Sequence, residues 1–303
     1  MLLVVAESAG SSPGRAGYKM AVAADGELSG SIGGGVMEVR LVEIAKSQIH
    51  NSKFEINSEL VEQVHRKNIP NSSGMICSGR QTVLFKLLRS GDSNSVGEAI
   101  TSLKNRVSSL LFITPGDFSI LITEDGSKTD FHFEKINETE FTYIEKLGAK
   151  NQLYIVGGGH CALALSEMMS RMDFHIAIFD DRPELNTIEK NRFADEIKII
   201  RSYEAVGGLI RGGSNVYVAV MTLGYASDEI VIRQLIEHEL KYFGVLGSRA
   251  KMKTLLTALE KDGLAKDRLD RIHTPVGLPI DSHTPEEIAV SIAAEIIAIK
   301  NAE

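Results

Sequence analysis

The order of elements within residues 151–182, NQLYIVGGGHCALALSEMMSRMDFHIAIFDDR, constrains this chain more than any other stretch. The apolar run Leu153 to Val156 reads as a buried strand and enters the glycine turn Gly157-Gly158-Gly159. A helix follows over His160 to Arg171. A second strand, His175 to Phe179, ends on Asp180 and Asp181. This is the G-x-G-x-x-A pattern of a βαβ dinucleotide fold, with an acid 23 positions after the first glycine. Gly157 permits the tight turn, Gly159 lets the backbone approach a pyrophosphate, and Ala162 lets helix and strand pack closely. The helix N-terminus offers free N–H groups to an anion. Asp180 is placed to accept hydrogen bonds from a ribose. A tight βα turn also needs glycine when no ligand is bound, so the fold is the firmer inference.

At 303 residues the chain has room for two domains. Its net charge of −7 argues against a general nucleic-acid surface and leaves room for a local basic pocket. No apolar run approaches the ~20 residues that span a bilayer. Met1 to Val5 lacks the basic start of a signal peptide. The two cysteines, Cys77 and Cys161, fall in different halves, which excludes a disulfide framework and a cysteine-based zinc site. These features point to a cytoplasmic protein with reduced thiols.

Residues 1–148 read as an α+β domain. Strands are expected over Leu2 to Ala6, Tyr18 to Ala24 and Leu28 to Ile32, with Asp25-Gly26 as a hairpin turn. The third strand runs into Gly33-Gly34-Gly35 and a helix from Val36 to Ile49. This second strand–glycine–helix junction is either a close-packed corner or an anion site walled by Arg15 and Lys19. Residues 50–70 suggest a short strand, Phe54 to Ile56, and then helix. Gly74-Met75-Ile76-Cys77-Ser78-Gly79-Arg80 precedes a strand from Thr82 to Leu88. Cys77 is either a small core residue or a thiolate favoured by Arg80. A helix over Val96 to Lys104, strands over Leu110 to Thr114 and Phe118 to Thr123, and an edge strand at Phe131 to Phe133 complete a mainly antiparallel or mixed sheet.

Residues 149–303 alternate strand and helix. Further strands are expected at Glu196 to Ile200, Val216 to Met221 and Tyr242 to Leu246. The pattern implies an α/β, doubly wound parallel sheet whose ligands sit beyond the strand C-terminal ends. Gly247-Ser248-Arg249 is a second anion site or a plain helix cap. Near the end, Thr284, Pro285 and Glu287 form a capping box that opens a helix to Lys300. Its apolar face, Ile288, Ile292 and Ile296 with Ala289 and Ala293, reads first as core and second as a docking surface.

Together these motifs resemble the XdhC/CoxI family, the maturation factors of xanthine dehydrogenase and carbon monoxide dehydrogenase. The resemblance rests on Gly10-Ser11-Ser12-Pro13, on Gly30-Ser31-Ile32-Gly33-Gly34-Gly35 with Glu38, and on Cys77-Ser78-Gly79-Arg80. In the second half it rests on Gly157-Gly158-Gly159-His160, Asp180-Asp181-Arg182, Met221-Thr222-Leu223-Gly224 and Gly247-Ser248-Arg249. The tail, Ile272-His273-Thr274-Pro275-Val276-Gly277-Leu278 followed by Thr284-Pro285-Glu286-Glu287, is the most specific stretch.

The resemblance implies a small N-terminal domain and a Rossmann-like C-terminal domain. It implies a carrier that binds, protects and helps sulfurate the molybdenum cofactor, and inserts it into a xanthine dehydrogenase-type apo-enzyme. A cysteine desulfurase is an implied further partner, and a homodimer would enclose a bulky cofactor. Helix N-termini after Gly35 and Gly159, together with Arg80 and Arg249, would meet the cofactor's phosphate. Cys77 would be a soft ligand to molybdenum or a sulfur relay. The chain departs from the family in three places. Met1 falls almost at the first strand, where the family has a preceding helix. Val36 stands where a cysteine often follows the glycine turn, and Leu223-Gly224-Tyr225 stand where His-Gly-His is frequent. An NAD(P)-dependent oxidoreductase and a nucleotide-sensing protein are the competing readings of the βαβ unit.

Overall fold

The computed structural model describes residues 1–50, 58–64, 79–105, 107–123, 131–137, 139–148 and 151–302. The short strand expected at Phe54 to Ile56 and the Cys77 motif lie outside these residues. The chain divides into two compact units, Met1–Gly148 and Ala149–Glu303.

In the first unit the elements are β1 (Leu2–Ala9), β2 (Lys19–Val22), β3 (Leu28–Gly30), α1 (Gly35–His50), β4 (Ser58–Val64), β5 (Arg80–Lys86), α2 (Ser93–Asn105), β6 (Ser109–Ile113), β7 (Phe118–Ile122), β8 (Phe131–Asn137) and β9 (Glu140–Leu147). They form two antiparallel sheets, ordered β3-β2-β1-β5-β4 and β7-β6-β9-β8. Leu2 to Ala6 of β1 is an unbroken apolar run because this part of the strand is covered on both faces. Leu3 and Val5 pack with Leu41, Val42 and Ala45 of α1, whereas Val4 and Ala6 pack with Ile113, Phe118 and Tyr143 of the second sheet.

Two segments correct the sequence reading. Residues 58–64, expected to be helical, form an edge strand, and β9 lies at the centre of its sheet although no strand is expected there. Along β9 the inward positions are Phe141, Tyr143, Glu145 and Leu147, so a carboxylate interrupts the apolar alternation. Glu145 is buried as an ion pair with Lys19 at 2.6 Å and accepts the Tyr143 hydroxyl at 2.8 Å.

The second unit contains β10 (Asn151–Val156), α3 (His160–Met169), β11 (Phe174–Asp180), α4 (Asn186–Lys190), β12 (Glu196–Ile199), α5 (Val206–Leu209), β13 (Gly213–Val220), α6 (Tyr225–Leu235), β14 (Leu240–Val245), α7 (Arg249–Lys261), α8 (Lys266–Leu269) and α9 (Pro285–Asn301). Its parallel sheet has the order β12-β11-β10-β13-β14. The chain builds outward from β10 in one direction and then returns to build in the other. The switch point therefore falls between β10 and β13, above Gly157. Leu153 and Ile155 of β10 face α3 and α9, and Val156 faces the core shared with α6 and α7.

The tail is structural mortar for this sheet. His273 donates its N–H to the Phe243 carbonyl, and its own carbonyl accepts from Val245, so the segment runs alongside β14. Gly277 has φ +94°, and a Cβ there would lie 2.2 Å from Ser291 Oγ on α9. Glu295 of α9 accepts from the Gly277 N–H at 2.8 Å and from the Tyr242 hydroxyl at 2.5 Å. The capping box forms as expected, with Thr284 and Glu287 exchanging side chain-to-backbone bonds. No helix among the described residues is long and apolar enough to cross a membrane.

The face of α9 is core: Ala289, Ile292, Ala293 and Ile296 are buried against Ala162, Leu165 and Met169 of α3. Ile292→Ala is therefore expected to cost about 2–5 kcal/mol in a urea unfolding experiment. A loss below about 0.5 kcal/mol, the level of ordinary surface substitutions, would contradict this packing role.

Candidate functional site

The C-terminal ends of the parallel strands carry the glycine turn, Asp180-Asp181-Arg182, Thr222-Leu223-Gly224 and Gly247-Ser248-Arg249. Gly157 has φ +109°, and a Cβ there would lie 2.3 Å from the Met221 carbonyl oxygen, so only glycine fits the turn. A Cβ at Gly158 would meet Ile188 at 2.8 Å. Gly159 is different: nothing lies within 4 Å of its Cβ position. The turn places a bare backbone against open space.

Asp180 is not available to a ribose. It is 0% exposed. One oxygen accepts from the Gly158 N–H at 2.6 Å and from Arg182 Nη2 at 2.7 Å; the other accepts from Arg182 Nε at 2.9 Å and the Arg182 N–H at 2.8 Å. Burial alone would raise its pKa, but the Arg182 side chain and the two amides hold the carboxyl below the ordinary aspartate value. The acid that a dinucleotide fingerprint assigns to the ligand here ties the glycine turn to the end of β11.

The three helix starts expected to hold an anion, those of α1, α3 and α7, differ from one another, and α6 opens on the same rim. At α1, Glu38 places an acid in the first turn and bonds back to the loop before the helix. Its Oε2 accepts from Ser31 Oγ at 2.7 Å, from the Ile32 N–H at 2.8 Å and from the Gly34 N–H at 3.0 Å. Burial opposes ionisation there, yet the bonds from Ser31, Ile32, Gly34 and Gly33 hold the carboxyl below its usual value. At α7, Ser248 is an ordinary N-cap that accepts from the Lys251 N–H at 3.3 Å. At α6, Gly224 supplies no cap, but the carboxylate of Asp228 sits in the first turn. Only α3 among these four starts without a side-chain cap and without an acid in its first turn.

In the first unit three motif loops converge. A Cβ at Gly33 would lie 2.4 Å from the Gly14 nitrogen, and one at Gly79 would lie 2.5 Å from the Ser12 nitrogen. Ser12 Oγ donates to Gln81 Oε1 at 2.7 Å. Gly33 and Gly79 are therefore needed for close packing, whereas nothing lies within 4 Å of the Cβ positions of Gly34 and Gly35. Arg80 is exposed and lies 3.7 Å from Glu7. Cys77, two residues before Gly79, is outside the described residues.

His160 and Arg249 are exposed on the rim. Cys161 is half-buried; burial, and then the charge of Glu286, raise its thiol pKa, which disfavours a thiolate. Sequence reasoning missed a rim network. Asp228 is buried, accepts from Thr222 Oγ1 at 2.6 Å and pairs with Lys251 Nζ at 2.7 Å. The Asp at the fourth position of a helix after a Thr-x-Gly turn was its signal. No group of three or more metal-ligating side chains occurs among the described residues.

A family model described as the XdhC Rossmann domain matches residues 153–296, and one described as the XdhC and CoxI family matches residues 1–58. The chain is 24% identical over 300 residues to the Escherichia coli K12 protein YqeB, covering 98% of this chain and 43% of that one. It is 29% identical over 208 residues to a Bacillus subtilis 168 protein described as a probable xanthine dehydrogenase subunit, covering 66% of this chain and 61% of that one. The chain thus spans about half the length of these curated relatives. A solved Bacillus halodurans structure, described as a xanthine dehydrogenase, aligns over 99% of this chain and 90% of its own with a TM-score of 0.73 and 25% identity.

The Glu38 plug has a pH signature. Its folded pKa lies below the ordinary 4.5, so its stabilisation is present above that value and is lost as pH falls through the lower folded value. Glu38→Ala is expected to cost about 1–2 kcal/mol near neutral pH and to reduce the acid sensitivity of the first unit, measured by denaturant melts at several pH values. An unchanged acid limb would contradict the assignment.

Proposed function

The chain belongs to the XdhC and CoxI family, and on that premise we propose that it serves the maturation of a xanthine dehydrogenase-type enzyme. In this reading it carries the molybdenum cofactor as cargo and holds its phosphate at the rim of the Rossmann unit. The observation that carries the reading is the start of α3. There Gly159 leaves the first N–H groups of the helix without a side-chain cap before open space, while α1 has the acid Glu38 in its first turn and Ser248 caps α7. Helix N–H groups and positive dipole ends are suited to a phosphate. Arg249 adds exposed positive charge on the same rim, and Arg182, one-third exposed, has its charge balanced by Asp180.

The described residues match the anionic part of such a cargo better than its metal. Cys161 is held as a thiol, so a soft ligand would have to come from Cys77, which we assign that role in the proposal. The partners would be the apo-enzyme and a sulfur donor such as a cysteine desulfurase. An NAD-dependent reading is weakened by Asp180, whose oxygens are already engaged within the protein.

Gly159→Asp tests this directly. The position has room for a side chain, and Asp is a favourable N-cap, so the variant should fold while presenting a carboxylate where the phosphate would bind. Protein incubated anaerobically with released cofactor, then gel-filtered, should co-elute with molybdenum and fluorescent oxidised pterin. Gly159→Asp should lose at least about tenfold in retention, an effect of about 1.4 kcal/mol. Cys77→Ser should keep the pterin and lose activation of the partner enzyme. Retention unaffected by Gly159→Asp, or tight NAD binding with no cofactor retention, would contradict the proposal.

A further inference from the structure

At the other end of β14 from Gly247, a cavity of about 270 Å³ is lined by Lys241, Arg268, Arg271, His238 and His273, with Tyr242 and Phe243 among its walls. A chain of net charge −7 here places two arginines, a lysine and two histidines around one small space. Glu237 lies 3.9 Å from Arg268 and is largely exposed, so the pair is weak.

Glu295 serves His273. Its Oε1 lies 3.5 Å from His273 Nδ1, while its Oε2 accepts from Tyr242 and from the Gly277 N–H. The His273 ring lies against Tyr242 with centroids 4.9 Å apart. A carboxylate on Nδ1 fixes the ring and leaves Nε2 as the nitrogen free to meet a ligand. His273 belongs to the tail stretch Ile272-His273-Thr274-Pro275, which the rim site does not use.

We propose that this pocket is a second anion site, for a phosphomonoester or inorganic phosphate. Forked guanidinium groups and a point-charge ammonium together match a dianion with several acceptor oxygens better than a single carboxylate. The volume suits the phosphate group with a small organic remainder. The site is independent of the molybdenum-cofactor reading, since none of its residues lies on the glycine rim.

The test is calorimetric titration of the full chain with inorganic phosphate and, separately, with glycerol phosphate. Three variants accompany it: Arg271→Gln, Arg268→Gln/Arg271→Gln, and Gly159→Asp. Arg268 and Arg271 are not fully buried, so both Arg variants should fold, which thermal melting checks. Saturable binding that survives Gly159→Asp is expected. Arg271→Gln should weaken it roughly tenfold or more, and the double variant should weaken it further. Tighter glycerol phosphate binding would identify an organic phosphomonoester as the preferred ligand, and equal binding would identify phosphate itself. Binding abolished by Gly159→Asp, or unchanged in a folded double Arg variant, would overturn the proposal.

Discussion

A carboxylate that neutralises the protein's own backbone is the interaction on which both glycine junctions depend. In the second unit Asp180 receives the Gly158 N–H and is clamped by Arg182. The turn after β10 is thereby fixed to the end of β11, and a buried charge is fully paired rather than stranded. In the first unit Glu38 does the same for Ile32 and Gly34. Each carboxylate satisfies amides that a glycine turn would otherwise leave exposed. The consequences differ. Glu38 lies in the first turn of α1 and bonds back to the loop before it, whereas Asp180 lies on β11 and α3 has no acid in its first turn.

That difference sets the two glycine junctions apart in where negative charge lies. Two strand–glycine–helix junctions look alike as strings of residues, but α1 carries an acid, Glu38, in its first turn and α3 carries neither an acid there nor a side-chain cap. The Asp228–Lys251 pair and the Thr222 hydroxyl brace the rim beside it without closing it. The tail completes the sheet on its β14 side, with Glu295 joining α9 to Tyr242 and Gly277.

What the sequence discloses follows what its residues must bury. β10, β11 and β13 are legible because both faces of a parallel sheet are covered, giving continuous apolar runs. The capping box at Thr284 is legible because its chemistry is local. β9 is hidden because Glu145 occupies an inward position whose partner, Lys19, is remote in sequence. β4 is hidden because edge strands tolerate polar residues such as Glu59 and Glu62. The candidate site is only half legible for the same reason. The glycines are visible, but whether their N–H groups are already taken depends on side chains folded back onto them. The Ser31 to Glu38 spacing gives a hint of this, and Asp180, where the fingerprint expects a ligand contact, gives none.

The central claim is that an external anion meets the start of α3 and not that of α1. The most direct measurement is amide-resolved hydrogen exchange of the intact protein with and without anaerobically released molybdenum cofactor. The account predicts slowed exchange at Gly159 to Ala162 and no change at Ile32 to Glu38. Protection confined to Ile32 to Glu38, with the start of α3 unaffected, would contradict it.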